Sequence, residues 1–163
     1  MKQLLIMRHA KANHPTIGQP DFERTLNDRG IKDAEEMGNR IKQHNFAPDV
    51  IMASPAKRTY KTAKNVAKQI NYDNDLIVYE SEIYEAHSDE LIHLIRNTDD
   101  AISKILLVGH NPGVTGLVGL LTESLIDNMP TAGVALVSFN LESWKQISVR
   151  SGKLEWFDFP KNG

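Results

Sequence analysis

A chain of 163 residues, 40% hydrophobic and 25% charged, can bury one good core and is too short for two ordinary domains, so a single domain over 1–163 is expected. Its formal net charge is −2 and its basic residues are scattered among acidic ones, which argues against nucleic acid as a partner. It has no cysteine, which excludes disulfides, thiolate metal sites and cysteine nucleophiles.

The first element is an apolar run over 4–7 that ends abruptly in Arg8-His9-Ala10 and reads as a buried strand. Before Arg8 there is one lysine and too few apolar residues for a signal peptide, and no apolar stretch reaches about 18 residues. A cytoplasmic protein without a membrane segment is therefore expected. A polar loop runs to about Leu26. A helix over 28–44 follows, with Ile31, Ala34, Met37 and Ile41 near helical spacing.

The second strand, 50–53, stops at Ser54-Pro55. Ser54 suits the N-cap of the next helix and Pro55 its first position; Tyr60, Ala63, Val66, Ala67 and Ile70 share one face. Arg58 then falls in or just after the first turn, where the helix dipole disfavours a cation by a few tenths of a kcal/mol or more. An anion bound at that terminus would turn the repulsion into attraction, and natural chains break local rules mainly at functional sites.

A turn at 71–75, a strand at 76–79 and a helix at 89–96 come next. The strand over 105–108 ends in Gly109-His110-Asn111-Pro112 and leads to a helix over 112–121. Segments 134–141, 145–150 and 153–159 read as two hairpins on a sheet edge. Alternating strands and helices predict an α/β fold, a three-layer α/β/α arrangement with a mostly parallel central sheet and an antiparallel C-terminal edge.

In such sheets ligands bind beyond the carboxyl ends of the strands, where Arg8, His9, Arg58 and His110 would meet. Two permanent planar cations and two imidazoles suit a phosphoryl group. A neutral imidazole can attack phosphorus, and neighbouring arginines lower a histidine pKa. The second imidazole would bond the equatorial oxygens during in-line transfer, and a further acid would protonate the leaving atom.

The ordered set Arg8-His9-Ala10, then Ser54-Pro55 with Arg58-Thr59 and Thr62-Ala63, then Val108-Gly109-His110-Asn111-Pro112 resembles the histidine phosphatase superfamily, most closely its short SixA-type phosphohistidine phosphatases. The stretches 21–30 and 76–86 resemble that subgroup's connecting segments, and the likeness spans nearly the whole chain. It implies a phosphoglycerate mutase-like fold, a phospho-His9 intermediate, and phosphate binding by Arg8, Arg58, His110 and Asn111. It also implies a phosphorylated protein or a small phosphomonoester as partner, with neither metal nor cofactor.

Glu85 occupies the place where the wider superfamily carries its acid and is the candidate proton donor. Glu82, His87 and Asp89 are alternatives, and a labile N–P bond would need less help. Ala10, where the wider superfamily usually has glycine, favours the SixA-type group over the mutases. A small-molecule phosphomonoesterase and a catalytically silent phospho-ligand-binding module are the competing functions.

Other features read as ordinary structure. His14, His44, His87 and His93 are mostly surface residues without metal-ligand spacing, and residues 73–75 make a turn. Gly113, Gly116 and Gly119 serve close helix packing. Arg24 and Lys11 either line the pocket rim or are simply exposed.

Overall fold

The computed structural model describes residues 1–160. Six strands form one sheet: β1 (Lys2–Arg8), β2 (Val50–Ala53), β3 (Val78–Tyr79), β4 (Lys104–Gly109), β5 (Val134–Phe139) and β6 (Gly152–Asp158), in the order β3-β2-β4-β1-β5-β6. Parallel pairing joins β3, β2, β4 and β1, while β5 and β6 add antiparallel to the β1 edge. The helices are α1 (Asp28–Gln43), α2 (Lys57–Gln69), α3 (Ser88–Arg96) and α4 (Gly113–Leu121).

Successive side chains of a strand point to opposite faces, so a stretch covered on both sides must be apolar throughout. Residues 4–7 of β1 meet this condition. Leu5 and Met7 pack with Ala34, Met37, Ile41, Ala63 and Val66 of α1 and α2. Leu4 and Ile6 pack with Leu91, Ile95, Val114 and Leu117 of α3 and α4. The result is the expected three-layer α/β/α fold. Among the described residues no helix is long and apolar enough to cross a membrane.

Register positions the site. Arg8 lies opposite Gly109 and Ala53 opposite Val108, so β1, β4 and β2 end side by side. The ladder continues one residue further through His9 N–H to the Gly109 carbonyl (3.0 Å) and Ser54 N–H to the Val108 carbonyl (3.2 Å). His9, His110 and Ser54 therefore leave three adjacent strands at one level.

Two expectations need correction. Ser54 does not cap α2: Ala56 holds the N-cap position, and the helix starts at Lys57. The Ser54 hydroxyl is instead bonded to the His110 ring at 2.8 Å, and it also accepts from Ala56 N–H at 3.3 Å. The tail has one antiparallel pair, with a short 3-10 turn at Trp144–Gln146 where a further strand was predicted. Trp144 is fully buried, its indole N–H donates to the Ile102 carbonyl at 2.7 Å, and Asp100 accepts from its backbone N–H at 2.9 Å. These ties fold the segment under the sheet and withdraw it from the edge.

Gly30 lets α1 approach the first loop: a side chain there would collide with the Lys11 carbonyl. That carbonyl accepts from Asn27 N–H at 3.1 Å, while the Asn27 side chain caps the helix through Gly30 N–H at 2.8 Å. Because overpacking costs about 1–3 kcal/mol, Gly30→Ala should lower the melting temperature by roughly 2–12 °C. An unchanged transition in calorimetry would show that the loop yields freely. Gly113 makes a similar approach to the Ala86 carbonyl and Gly116 touches Ser88, whereas Gly119 meets nothing.

Candidate active site

Beyond the ends of β1, β2 and β4 lies a cavity of ≈ 380 Å³ lined by Arg8, His9, Lys11, Ala12, His14, Arg24, Arg58, His110, Asn111 and Thr131. A second cavity of ≈ 370 Å³, between the end of α4 and Arg150, contains no imidazole.

His9 is 8% exposed. Its Nδ1 lies 2.7 Å from the Ala10 carbonyl, an acceptor only, so Nδ1 carries the hydrogen and Nε2 keeps its lone pair. Burial, opposed by that hydrogen bond and reinforced by Arg58, Arg8 and Arg24, pushes the His9 pKa down to about 4. Its backbone is held through Ala10 N–H to Thr62 Oγ1 (3.0 Å), which donates to the Arg58 carbonyl at 2.7 Å. Thr62 of the second motif thus ties the end of strand β1 to helix α2.

The His110 ring lies 5.4 Å from that of His9. Ser54 accepts from Ala56 N–H at 3.3 Å, and the His110 ring is the acceptor within reach of its hydroxyl proton; the tautomer that takes this proton on Nε2 carries the imidazole hydrogen on Nδ1. Burial first, then the proximity of His9 and Arg58, pushes the His110 pKa down to about 3, against an opposing pull from Asp21.

The guanidinium groups are anchored on one side. Arg8 donates through one terminal nitrogen to the Met129 carbonyl at 2.8 Å. Arg58, 5% exposed, donates to the Asp21 carbonyl at 2.8 Å and to Asp21 Oδ2 at 2.9 Å. Four buried side-chain N or O atoms among the described residues lack a partner, and three of them are Arg8 Nε, Arg58 Nε and His110 Nδ1. Buried polar atoms without partners are rare, and the three residues that carry these all line the cavity, a donor set suited to an oxyanion.

Asp21 and Tyr84 complete the site, and sequence reasoning missed both. Asp21 Oδ2 also accepts from the Tyr84 hydroxyl at 2.8 Å, and Oδ1 accepts from Arg24 at 3.1 Å. Burial raises the Asp21 pKa, but the bonds from Tyr84 and Arg58 prevail and hold it down at about 2. The Tyr84 ring stands edge-on to His110 at 5.4 Å. No local pattern sets Asp21 apart from its acidic neighbours; only tertiary pairing does.

Asn111 lines the cavity, but its amide nitrogen donates to Asn128 Oδ1 (2.7 Å) and the Met129 carbonyl (3.1 Å). It thereby steadies the carbonyl that holds Arg8. Glu85 is exposed, has a positive φ of 58°, and is not on the cavity wall. Its charge lies beside Tyr84 and adds to the burial and the Asp21 contact that push the tyrosine pKa up to about 12. His14, expected at the surface, is exposed yet lines the cavity, as do Lys11 and Arg24.

The depressed histidines link pH to stability. Each titrates below its ordinary value of 6.5, so between about pH 4 and 6.5 the unfolded chain holds protons that the folded chain does not. Their contribution is complete above pH 6.5 and is lost as pH falls towards 4 for His9 and 3 for His110. Between pH 7 and 4.5 the melting temperature of His110→Gln should fall less than that of the wild type, by about 3 °C or more. Equal falls would mean that His110 is not held neutral.

An oxyanion cradle with a free imidazole lone pair, at the carboxyl edge of a three-layer α/β sheet, defines the class of site. The sequence profile of the histidine phosphatase superfamily, branch 1, matches residues 4–104, and the chain belongs to that superfamily. An uncharacterized protein of Mycobacterium leprae is 26% identical over 168 residues, covering 95% of this chain and 100% of the relative. Among solved structures, the candidate phosphohistidine phosphatase SixA of Agrobacterium tumefaciens is 29% identical with a TM-score of 0.82, covering 98% of this chain and 99% of that one. A protein histidine phosphatase SixA complexed with tungstate shares the fold at 24% identity and a TM-score of 0.82, over 98% of each chain. These similarities support a phosphatase.

Proposed function

We propose that the chain is a metal-independent phosphatase that hydrolyses phosphohistidine on a protein through a phospho-His9 intermediate. His9 Nε2 attacks phosphorus while the N–P bond of the substrate breaks. Arg8 Nε, Arg58 Nε and His110 Nδ1 donate to the equatorial oxygens, where charge is held in a loose transition state. Water then attacks phospho-His9, and the His9–phosphorus bond breaks to release phosphate and neutral imidazole.

The observation that carries the choice of substrate is the absence of any carboxyl side chain from the cavity wall among the described residues. Asp21, the carboxylate bonded to Arg58, is held ionised by its partners and cannot donate a proton near neutrality. A phosphoester needs its leaving oxygen protonated. A phosphohistidine ring protonated on its distal nitrogen leaves directly as neutral imidazole. Among the described residues, no group of three His, Cys, Asp or Glu is placed to hold a metal ion.

The test compares kcat/KM for a phosphohistidine peptide, phosphoramidate and aryl and alkyl phosphomonoesters, with and without a chelator. N–P substrates should exceed alkyl esters by at least about 100-fold, in keeping with the usual worth of general acid catalysis, and the chelator should change nothing. Efficient ester hydrolysis with inert phosphohistidine would make the chain a small-molecule phosphomonoesterase. Glu85→Gln should leave aryl phosphomonoester turnover within about twofold, since a group off the cavity wall gives no transition-state contact. A tenfold loss would restore Glu85 as the proton donor.

A further inference from the structure

The cavity wall carries more positive charge than the phosphoryl cradle uses. Arg8 and Arg58 line the cradle, each with a buried Nε that has no partner, and Arg24 is engaged with Asp21 and the Asn13 carbonyl. The Lys11 cation and the His14 imidazole, which can offer an N–H, remain: both are exposed, both are on the wall, and neither side chain has an ion-pair or hydrogen-bond partner among the described residues. The nearby carboxylates are taken up elsewhere: Asp21 pairs with Arg24 and Arg58, and Glu23 with Lys57 at 3.2 Å.

These two side chains stand on a fixed backbone. Asn27 N–H donates to the Lys11 carbonyl (3.1 Å) and Asn13 N–H to the Thr25 carbonyl (2.8 Å), and Ala12 forms an isolated antiparallel bridge with Leu26. Arg24 donates to the Asn13 carbonyl at 3.1 Å from the other side. The cavity volume of ≈ 380 Å³ is in the range that takes small organic ligands, so there is room for a second group beside the phosphoryl.

We propose that Lys11 and His14 form a second anion subsite beside the phosphoryl cradle, one that recognises an acidic group carried by the substrate close to its phosphorylated atom. The proposal rests on the reading of Arg8, His9, Arg58 and His110 as the phosphoryl site. On a phosphoprotein the acidic group is a carboxylate flanking the phosphohistidine; on a small molecule it is a second anionic substituent. Exposed charge pairs are individually worth little, so the subsite biases selection among phosphorylated partners and weakens with added salt.

Calorimetric titration with inorganic phosphate and with methylenediphosphonate, an inert probe bearing two anionic groups, tests the subsite without relying on turnover. Wild type should bind the diphosphonate about tenfold tighter than phosphate, and in Lys11→Ala/His14→Ala that ratio should collapse to within about twofold of one. Equal affinities in the wild type, or a ratio unchanged in the double variant, would overturn the proposal.

Turnover then separates the two sources. A phosphohistidine peptide flanked by glutamate should exceed its glutamine-flanked counterpart by about fivefold if the substrate is a protein. A carboxylated phosphomonoester should exceed its carboxyl-free analogue if it is a small molecule. If no phosphohistidine peptide is turned over while the diphosphonate preference persists, the proposed substrate fails and the subsite stands.

Discussion

Replacing His9 with alanine should lower turnover of every phosphoryl donor by at least about 10⁴-fold, the scale seen when a covalent nucleophile is removed. Trapped by rapid quench, wild type should carry a label that is labile in acid, stable in alkali and indifferent to chelators, and the variant should carry none. The size of the effect follows from geometry. The Ala10 carbonyl takes the Nδ1 hydrogen, which leaves the Nε2 lone pair free, and the low pKa of about 4 keeps the ring neutral at physiological pH. His9→Gln provides a folding control, since its amide can still donate to the Ala10 carbonyl without supplying a nucleophile. A labelled His9→Gln would move the covalent step elsewhere, whereas binding of phosphate without turnover in the wild type would indicate a silent binding module.

The core of this arrangement is legible in the sequence because it depends on strand ends. An apolar run long enough to be a buried strand fixes where the backbone emerges, and parallel sheets place those exits on one edge. Arg8, His9 and His110 follow from that alone. Arg58 follows from a cation on the wrong end of a helix. What escapes the sequence is pairing across the chain: Asp21 and Arg58 are separated by 37 positions and Tyr84 and Asp21 by 63, with no periodic signal. Ser54 departs from the capping role for a related reason. A serine before a helix reads as a cap, but the imidazole of His110, 56 positions away, competes for its hydroxyl. The tail departs from two hairpins because Trp144 finds a buried carbonyl partner that local propensity cannot register.

Removing Arg58 should cost about 10³-fold or more in kcat/KM, within the range found for arginines that stabilise phosphoryl transfer. Two effects combine. The dianion loses a donor and a charge, and Asp21, still held by Tyr84 and Arg24, is left near the anion without its screening cation. Arg58→Ala/Asp21→Asn should therefore recover part of the loss, roughly tenfold, although Asp21→Asn alone should be slower than wild type because it loosens the anchored guanidinium. Strict additivity of the two substitutions would show that Asp21 does not act through Arg58. Charge and shape separate in Arg58→Lys, which keeps the cation but loses the planar fork. Its His9 pKa should stay near the wild-type value, whereas in Arg58→Ala it should rise, since Arg58 is among the groups holding it down. Ring-proton NMR titrations would read both. Turnover that tracks charge alone, with Arg58→Lys close to wild type, would mean that the buried Nε–H of Arg58 contributes nothing as a positioned donor.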